Sequence, residues 1–285
     1  MITPQAVVEA QLALKALYAE DAFDSAHRAG ADTLRVAPDA RLAPHWNVLG
    51  RITAIDAAFR IGPITFGSKR CFYGWHLASA TDPKSHLAVV RGTETIYEWI
   101  IDGEMAPRKA HHIAGEVETG FYDLYCSMRY WPNGGNEVPL LDLVKGLPPT
   151  ATLTIVGHSL GAALAELFTF DAAAIAGDRV TGMFIAAPRV GDNDFRTVFA
   201  RRVSKATRGL AYERDIVPRV PAGFGYEPLL CEQIISTAGL LVEIADTVAA
   251  SHHALSYAAL RNPNVLKSFV PIPLDIPFLR AITIL

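Results

Sequence analysis

Residues 152–166 read Thr-Leu-Thr-Ile-Val-Gly-His-Ser-Leu-Gly-Ala-Ala-Leu-Ala-Glu, and this stretch decides the fold. A β-branched apolar run leads into the corner Gly157-x-Ser159-x-Gly161, and an Ala/Leu-rich run with helical spacing follows it. Strand, sharp turn and helix in this order push a serine out at the top of a sheet, where it can act as a nucleophile. A side chain at either glycine would collide with the neighbouring strand or helix in so tight a turn. We therefore predict that Ser159 is a catalytic nucleophile.

The composition limits the class of protein. The 285 residues carry a formal net charge of -3 at pH 7, and 51% of them are hydrophobic. Because no long basic cluster occurs, nucleic acid is not expected as a partner. Because no run of about 18 uninterrupted apolar residues occurs, no transmembrane segment is expected either. The surplus of apolar residues favours a site that accepts apolar ligands.

The beginning of the chain and its cysteines bear on where the protein works. Charged residues interrupt positions 1–23, so the basic-then-apolar order of a secretory signal peptide is not found there. Residues 1–29 are instead expected to form an amphipathic helix that packs on the domain. Cys71, Cys126 and Cys231 contain no CxxC pair, which argues against a disulfide framework. We expect a cytoplasmic protein, with leaderless secretion or removal of a leader as the alternatives.

Helical and strand-like segments alternate from about residue 50 to 260, which predicts one α/β domain spanning residues 1–285. The expected elements are, in chain order, a loop at 30–50, a hairpin at 70–93, a helix at 117–130, strands at 180–186 and 209–213, a helix at 238–250 packed on the sheet, and a helix at about 253–261.

A serine hydroxyl needs a general base, and a carboxylate must orient that base. In the strand–turn–helix setting of Ser159 the chain order is serine, acid, histidine, so both partners should follow it. Asp215 comes directly after the strand expected at 209–213, which would place its carboxylate at the end of a strand. The two histidines after Asp215 are the adjacent His252 and His253. The base is therefore one of this pair.

The tetrahedral intermediate of acyl transfer needs preorganised N–H donors. One donor is expected to be the backbone N–H of Leu160, the residue after the nucleophile. The second is expected from Arg91-Gly92-Thr93, which follows the strand-like run His86-Leu-Ala-Val-Val90. An ordinary turn at the end of a strand is the alternative interpretation of that tripeptide.

Further motifs carry a resemblance to a known family. They are Val89-Val90-Arg91-Gly92-Thr93 with Glu94 and Trp99; Gly120-Phe121; Val156 to Ala165; Ala187-Pro-Arg-Val-Gly-Asp192; Asp215-Ile-Val-Pro-Arg-Val-Pro221; and the histidine segment with Tyr257. Together they resemble the class 3 (fungal-type) triacylglycerol lipases of the α/β-hydrolase superfamily. The resemblance implies a central, mostly parallel sheet flanked by helices, with a lid segment over the active site.

The resemblance also implies roles for single residues. Ser159 would be the nucleophile, Asp215 would orient the base, and Thr93 with Leu160 would form the oxyanion hole, with no cofactor and no metal. The class 3 lipases resembled here often carry a Tyr five residues after the catalytic His. The spacing from His252 to Tyr257 fits this pattern, so His252 is favoured and His253 is the alternative.

The lid implied by the resemblance corresponds to residues 94–112, in which Trp99 and Ile100 are the candidates for contact with substrate. The alternative is that these two side chains belong to a fixed core. His111-His112 on the same stretch lack a partner at ligand spacing, so no metal site is predicted there. The chain departs from the family at Glu118-Thr119, since family members often carry a His before the Gly-Phe pair.

The expected function is that of a serine carboxylester hydrolase, a lipase that cleaves acylglycerol esters through an acyl-enzyme. The expected partner is a lipid or small ester, met in solution or at a lipid–water interface, and the oligomeric state is not predicted. The alternatives within this class are an esterase for short-chain or aryl and feruloyl esters, and a phospholipase A1. The alternative from another class is a catalytically silent α/β-hydrolase that serves as a binding module, which would be expected to have lost a member of the triad.

Overall fold

The computed structural model describes residues 2–56, 69–93, 107–110, 112–223, 225–240, 242–268 and 282–284. The helices are α1 (Pro4–Arg28), α2 (Thr119–Ser127), α3 (Asp142–Lys145), α4 (Leu160–Ala176), α5 (Asn193–Arg202), α6 (Val248–His252), α7 (Ala254–Arg261) and α8 (Val265–Ser268). The strands are β1 (Trp46–Asp56), β2 (Lys69–Ser79), β3 (Ser85–Val90), β4 (Pro107–Lys109), β5 (Glu116–Glu118), β6 (Arg129–Pro132), β7 (Val138–Pro139), β8 (Thr152–His158), β9 (Val180–Ile185), β10 (Gly191–Asp192), β11 (Arg208–Tyr212), β12 (Tyr226–Glu227), β13 (Gln233–Ile235), β14 (Val242–Ile244) and β15 (Ile282–Ile284).

A nine-stranded sheet with the order β13-β11-β9-β8-β3-β2-β1-β6-β7 forms the centre of the described chain. The five strands from β13 to β3 are parallel to one another. The hairpin of β2 and β3 then turns the sheet antiparallel, and β1, β6 and β7 continue it in that manner. β8 lies in the parallel half, so the serine at its carboxyl end is flanked by the ends of β3 and β9.

Helices cover both faces of this sheet. On one face, α2, α4 and α5 bury an aromatic cluster that includes Phe121, Phe168 and Phe199. On the other face, α1 and α7 bury Leu14, Leu17 and Tyr257 among others against the strands. A parallel strand region covered on both faces is the arrangement expected of α/β proteins. The predicted α/β class, with a central sheet flanked by helices, is confirmed.

The helix α1 occupies the segment that was expected to be helical. Thr3 caps it, since the Thr3 hydroxyl accepts the N–H of Ala6 at 3.2 Å, and Pro4 stands at its first position. His27 and Arg28 in its last turn suit the negative end of the helix dipole. Small residues on its inner face, Ala10, Ala13 and Ala16, are fully buried and let the helix lie close to the sheet and α7.

Three expected elements are wrong in their bounds or type. Residues 46–50, expected in a loop, begin the strand β1, because they pair with the end of β2. The helix expected over 117–130 ends at Ser127, and the next residues leave it to pair with β1 as β6. The helix expected at 238–250 is replaced by the strand β14, in which Val242 and Ile244 are buried on either side of an exposed Glu243, and helix resumes at Val248.

One helical stretch of the described chain, Leu160–Arg179, is long and apolar enough to cross a membrane by length and composition alone. Within the fold, 72% of its apolar window is buried. Most of this stretch is α4, which packs beneath the parallel strands, so its apolar character is that of a core helix.

Candidate active site

Ser159 occupies a sharp corner between β8 and α4. Its backbone has φ +58° and ψ -130°, a conformation that a residue with a side chain rarely adopts. Two hydrogen bonds hold the corner: the Ser159 N–H donates to the Ile185 carbonyl, and the Ser159 carbonyl accepts the N–H of Ala162, both at 2.9 Å. The fold therefore maintains a strained turn that projects the serine side chain away from the strand.

The two glycines of the corner are required by the approach of neighbouring backbone. A Cβ atom at Gly157 would lie 2.7 Å from the N of Ala162, in the first turn of α4. A Cβ atom at Gly161 would lie 2.5 Å from the carbonyl oxygen of Arg91, just beyond β3. The predicted collisions with helix and neighbouring strand are thus those that the structure shows.

The structure brings Ser159 together with one histidine and one carboxylate. The Nε2 atom of His252 lies 2.7 Å from the Ser159 Oγ, and its Nδ1 lies 2.8 Å from Oδ2 of Asp215. Since the carboxylate can only accept, Nδ1–H donates to Asp215 and Nε2 is left to accept the serine proton. All three residues are buried. This is the arrangement of a nucleophile, a base and the group that orients the base.

His253 makes different contacts from its neighbour. It caps the helix α7, and its Nδ1 accepts the N–H of Leu255 at 3.2 Å. The sharp break between α6 and α7 falls at this residue, so the two adjacent rings serve different elements. Of the two candidate histidines, His252 is the one placed between Ser159 and Asp215.

Asp215 is held from three sides. Its Oδ1 accepts the N–H of Val217 at 2.9 Å, and its Oδ2 accepts the hydroxyl of Tyr257 at 2.8 Å in addition to His252. Hydrogen bonds from neutral donors satisfy a buried carboxylate without fixing a second charge beside it. Sequence analysis used Tyr257 only for its spacing of five residues from His252. The same spacing, which places Tyr257 in the first turn of α7, was a signal that its side chain contacts the site.

Burial lowers the pKa of His252, although the charge and hydrogen bond of Asp215 act in the opposite direction. A lowered pKa keeps the imidazole neutral at pH 7, which is the form that can accept a proton from serine. The site therefore holds its histidine in the protonation state of a base.

The loop Arg91-Gly92-Thr93 lies directly against the corner. A Cβ atom at Gly92 would be 3.1 Å from the Ser159 Cβ and 2.8 Å from the carbonyl oxygen of His158, so this position has no room for a side chain. Leu160 is the first residue of α4, and the N–H groups of a first turn have no acceptor within their own helix. Of the two predicted oxyanion donors, Leu160 directly follows the nucleophile, and Thr93 directly follows the glycine that lies against it.

Residues 87–224 match the model of the lipase (class 3) family. This segment belongs to the class 3 lipase family. The phospholipase A1-II 6 of Oryza sativa subsp. japonica is 39% identical to the chain over 175 residues, which cover 52% of this chain and 43% of that protein. The chain therefore spans less than half the length of this curated relative.

Solved lipase structures share the fold of the chain. The Rhizomucor miehei triacylglyceride lipase matches with a TM-score of 0.55 at 21% identity, over 82% of this chain and 81% of its own. A fungal lipase matches with a TM-score of 0.60 at 16% identity, over 90% of this chain and 98% of its own. At these identities the likeness is one of architecture, and it confirms the expected α/β-hydrolase fold.

The lid that the family resemblance implied lies mostly outside the described residues. Trp99 and Ile100, its two candidates for contact with substrate, are both outside, as is His111. At the end of the 94–112 segment, Pro107–Lys109 form β4, which pairs with β5 in a second sheet of four strands. The Nε2 of His112 lies 3.1 Å from Oδ1 of Asp171. The part of the chain that is described contains no cluster of three or more potential metal ligands among His, Cys, Asp and Glu.

Glu118 lies where the chain departs from the family pattern, just before Gly120-Phe121, and it caps the helix that begins there. The Glu118 side chain caps α2 by accepting the N–H of Phe121 at 2.6 Å, and burial raises the pKa of this carboxyl. The residue is 1% exposed. At this position the chain therefore uses a carboxyl group to begin the helix.

Two residues near the site were missed from the sequence. His158, the middle residue between Gly157 and Ser159, hydrogen-bonds through Nε2 to the carbonyl oxygen of His252 at 2.6 Å. Its Nδ1 lies 2.9 Å from Oε1 of Glu20 in α1. His158 could have been singled out by its place inside the motif. Glu20 is 138 positions away along the chain, and no local pattern connects it with the site.

Proposed function

We propose that the chain is a serine carboxylester hydrolase whose substrates are acylglycerol esters. The observation that supports the proposal is the connected set Ser159–His252–Asp215, with hydrogen-bond distances of 2.7 and 2.8 Å, at a strained strand-to-helix corner. Membership of residues 87–224 in the class 3 lipase family supports the same reaction class.

In the proposed reaction, His252 Nε2 takes the Ser159 hydroxyl proton as Oγ attacks the ester carbonyl carbon. The negative charge that develops on the carbonyl oxygen is stabilised by the backbone N–H groups of Thr93 and Leu160. Asp215 keeps the Nδ1–H tautomer and stabilises the imidazolium. As the tetrahedral intermediate collapses, the ester C–O bond breaks and His252 returns the proton to the leaving alcohol.

Deacylation repeats these steps with water as the nucleophile. His252 removes a proton from water as the water oxygen attacks the acyl-enzyme carbonyl carbon. Collapse of the second tetrahedral intermediate releases the carboxylic acid, and the proton returns to Ser159 Oγ. Proton transfer and N–H donors from the chain itself are sufficient for every step.

Phospholipids are the second substrate class. The observation that favours them is the 39% identity to a rice protein named phospholipase A1. Both substrate classes present an acyl ester of glycerol to the same nucleophile, so they differ in the group attached to the rest of the glycerol and not in the bond that breaks.

The test is hydrolysis of p-nitrophenyl esters from acetate to palmitate, a long-chain triglyceride emulsion and phosphatidylcholine vesicles. The wild type is compared with Ser159→Ala, and Ser204→Ala at a buried position away from the corner is the control. Activity on long-chain esters and the emulsion that is lost only in Ser159→Ala supports the lipase. Activity confined to short esters would reduce the proposal to an esterase, and release of fatty acid from vesicles alone would favour the phospholipase. Absence of Ser159-dependent hydrolysis of any of these esters would refute the hydrolase.

A further inference from the structure

Glu20 on α1 touches the site at two places through one oxygen atom. Its Oε1 accepts the backbone N–H of Gly92 at 3.0 Å and lies 2.9 Å from Nδ1 of His158. The Glu20 side chain is 16% exposed and that of His158 is 6% exposed. The N-terminal helix thus reaches the loop Arg91-Gly92-Thr93, called the oxyanion loop below, and the nucleophile corner with a single carboxylate.

Both ring nitrogens of His158 face acceptors. Nδ1 faces the Glu20 carboxylate, and Nε2 faces the carbonyl oxygen of His252 at 2.6 Å. A ring that donates from both nitrogens is an imidazolium. Burial opposes that charge, but the charge and hydrogen bond of Glu20 outweigh it and raise the pKa of His158. The same pairing lowers the pKa of Glu20 against the effect of its own burial. Glu20 and His158 therefore form an ion pair. The second ring nitrogen of His158, Nε2, holds the backbone carbonyl of His252, the proposed base.

The contact with Gly92 bears on the direction of the Thr93 N–H. Glu20 fixes the Gly92 N–H, and the Arg91 Nη1 donates to the Gly92 carbonyl at 2.8 Å. That carbonyl belongs to the same planar trans peptide as the N–H of Thr93, so fixing the oxygen fixes the direction of the N–H. The peptides on both sides of Gly92 are thereby held, and one of the proposed oxyanion donors with them.

The helix α1 also supports Arg91, the residue that donates to the Gly92 carbonyl. The Arg91 guanidinium lies 3.5 Å from the ring centroid of Phe23, three residues after Glu20 and on the same side of α1. Arg91 is 2% exposed, and its Nε donates to the Phe72 carbonyl at 2.7 Å. Two successive turns of one helix therefore hold the N–H side and the C=O side of Gly92.

We propose that Glu20 is a positioning residue for ester hydrolysis, which orients the Thr93 N–H through Gly92 and the base His252 through His158. The inference rests on the proposed hydrolase function. Glu20 touches neither substrate nor Ser159 Oγ, so its effect is carried by the two groups that it holds. Its removal should impair the step in which the oxyanion forms more than it impairs substrate binding.

The chain offers a matched control on the same helix. Glu9 of α1 is 3% exposed and accepts a hydrogen bond from the Nε of Arg261 in α7 at 2.5 Å. This ion pair also holds α1 to the fold. In the described part of the chain the side chain of Glu9 bonds Gln5 and Arg261, and neither residue belongs to the corner or to the oxyanion loop. Glu9→Gln therefore reports the cost of loosening α1, and Glu20 variants report that cost together with any positioning effect.

The experiment compares Glu20→Leu, Glu20→Gln and Glu9→Gln in the full chain. Three quantities are measured: kcat and KM for p-nitrophenyl butyrate, the rate at which a p-nitrophenyl alkylphosphonate modifies Ser159, and the melting temperature. We expect Glu20→Leu to lower kcat and the phosphonylation rate by about 10- to 100-fold with little change in KM. Glu20→Gln, which keeps an acceptor for the Gly92 N–H, should recover part of both rates, and Glu9→Gln should change them by less than about twofold.

The phosphonate separates failure of this inference from failure of the proposed function, because it reacts with Ser159 without turnover. Equal kcat values and equal phosphonylation rates in Glu20→Leu and Glu9→Gln would overturn the positioning role while the hydrolase stands. A wild type that reacts with the phosphonate but hydrolyses no ester would refute the hydrolase, and with it the role of Glu20 in ester hydrolysis. A fall in rate that follows melting temperature equally in all three variants would mean that Glu20 only stabilises the fold, and would also overturn the proposal.

Discussion

The hydroxyl of Tyr257 donates a hydrogen bond of 2.8 Å to Oδ2 of Asp215, the oxygen that also accepts the Nδ1–H of His252. The same hydroxyl accepts the N–H of Tyr212 at 2.9 Å, which fixes its direction. Burial, with the charge of Asp215 adding to it, raises the pKa of Tyr257 well above its usual value, so the phenol remains a donor. Asp215 is therefore oriented by a side chain on the helix that directly follows the histidine.

Replacement of Tyr257 by Phe should reduce kcat by about 10-fold, because a hydrogen bond to a charged group contributes about 1.5–3 kcal/mol and only part of it is expressed in the transition state. The change also leaves the Tyr212 N–H without its acceptor, so the unfolding free energy should fall by about 1–2 kcal/mol. Ester hydrolysis and urea unfolding measure the two effects. Tyr130→Phe is the control, since its hydroxyl bonds His76, outside the site. Equal kcat values in both variants would contradict the role of Tyr257.

The adjacent histidines should respond differently to truncation. His252→Ala removes the proposed base and should lower kcat by about 10⁴-fold or more. His253→Ala removes the cap of α7, so it should cost about 0.5–2 kcal/mol of stability while kcat stays within about 10-fold of the wild type. Steady-state kinetics at a temperature well below both melting points makes the comparison. Loss of activity in His253→Ala alone would reverse the assignment.

What could be predicted from the sequence depends on how far apart the interacting residues lie along the chain. The corner around Ser159 is local, so its strand, turn and helix were predictable from spacing and steric need. Asp215 followed from chain order and from its place after a strand. The spacing to Tyr257 favoured His252 over His253, but the contacts of the two rings depend on where each one lies in space. Glu20 meets His158 only through packing of α1, which no local pattern encodes.

The errors in the secondary structure have related causes. Gly50 looks like a turn residue, yet it lies within β1 and pairs with Pro132 of β6. A Cβ at Gly50 would be 2.7 Å from the carbonyl oxygen of Trp131, so this strand position has no room for a side chain. It marks a close approach of two strands. Val242 to Ile244 alternates with period two inside an apolar run, and its partner strand β15 begins 40 residues beyond the start of β14. Tertiary pairing decided both segments.

The pH dependence of hydrolysis should reflect the lowered pKa of His252. Only the neutral imidazole can accept the Ser159 proton, so kcat/KM should rise with pH, with its midpoint below the usual histidine value of about 6.5. Asp215 is a cause that raises this pKa, so Asp215→Asn should move the midpoint to still lower pH while the plateau falls by about 10⁴-fold. Rates from pH 4 to pH 9 on a neutral ester test this. A midpoint above that of free histidine would contradict it.

Acid should destabilise the fold through a histidine pair outside the candidate site. The Nε2 of His76 lies 2.9 Å from Nδ1 of His86, and Nδ1 of His76 lies 3.0 Å from the Tyr130 hydroxyl. Burial, with His86 adding to it, lowers the pKa of His76 to about 3. Between about pH 6.5 and about pH 3, His76 therefore holds a proton in the unfolded chain but not in the folded chain, so stability is lost as the pH falls through this window.

The His76 contribution should reach a slope of up to about 1.4 kcal/mol per pH unit in the unfolding free energy. Urea unfolding from pH 8 to pH 5 measures the slope. His76→Gln keeps a donor and an acceptor but no titratable group. Below pH 6.5 its unfolding free energy should therefore fall less steeply with decreasing pH, by up to about 1.4 kcal/mol per pH unit. His45→Gln, at an exposed position, is the control and should keep the wild-type slope. If His76→Gln and His45→Gln gave the same curve, the acid sensitivity would have to come from other buried groups, and His76 would be no more than a packed core residue.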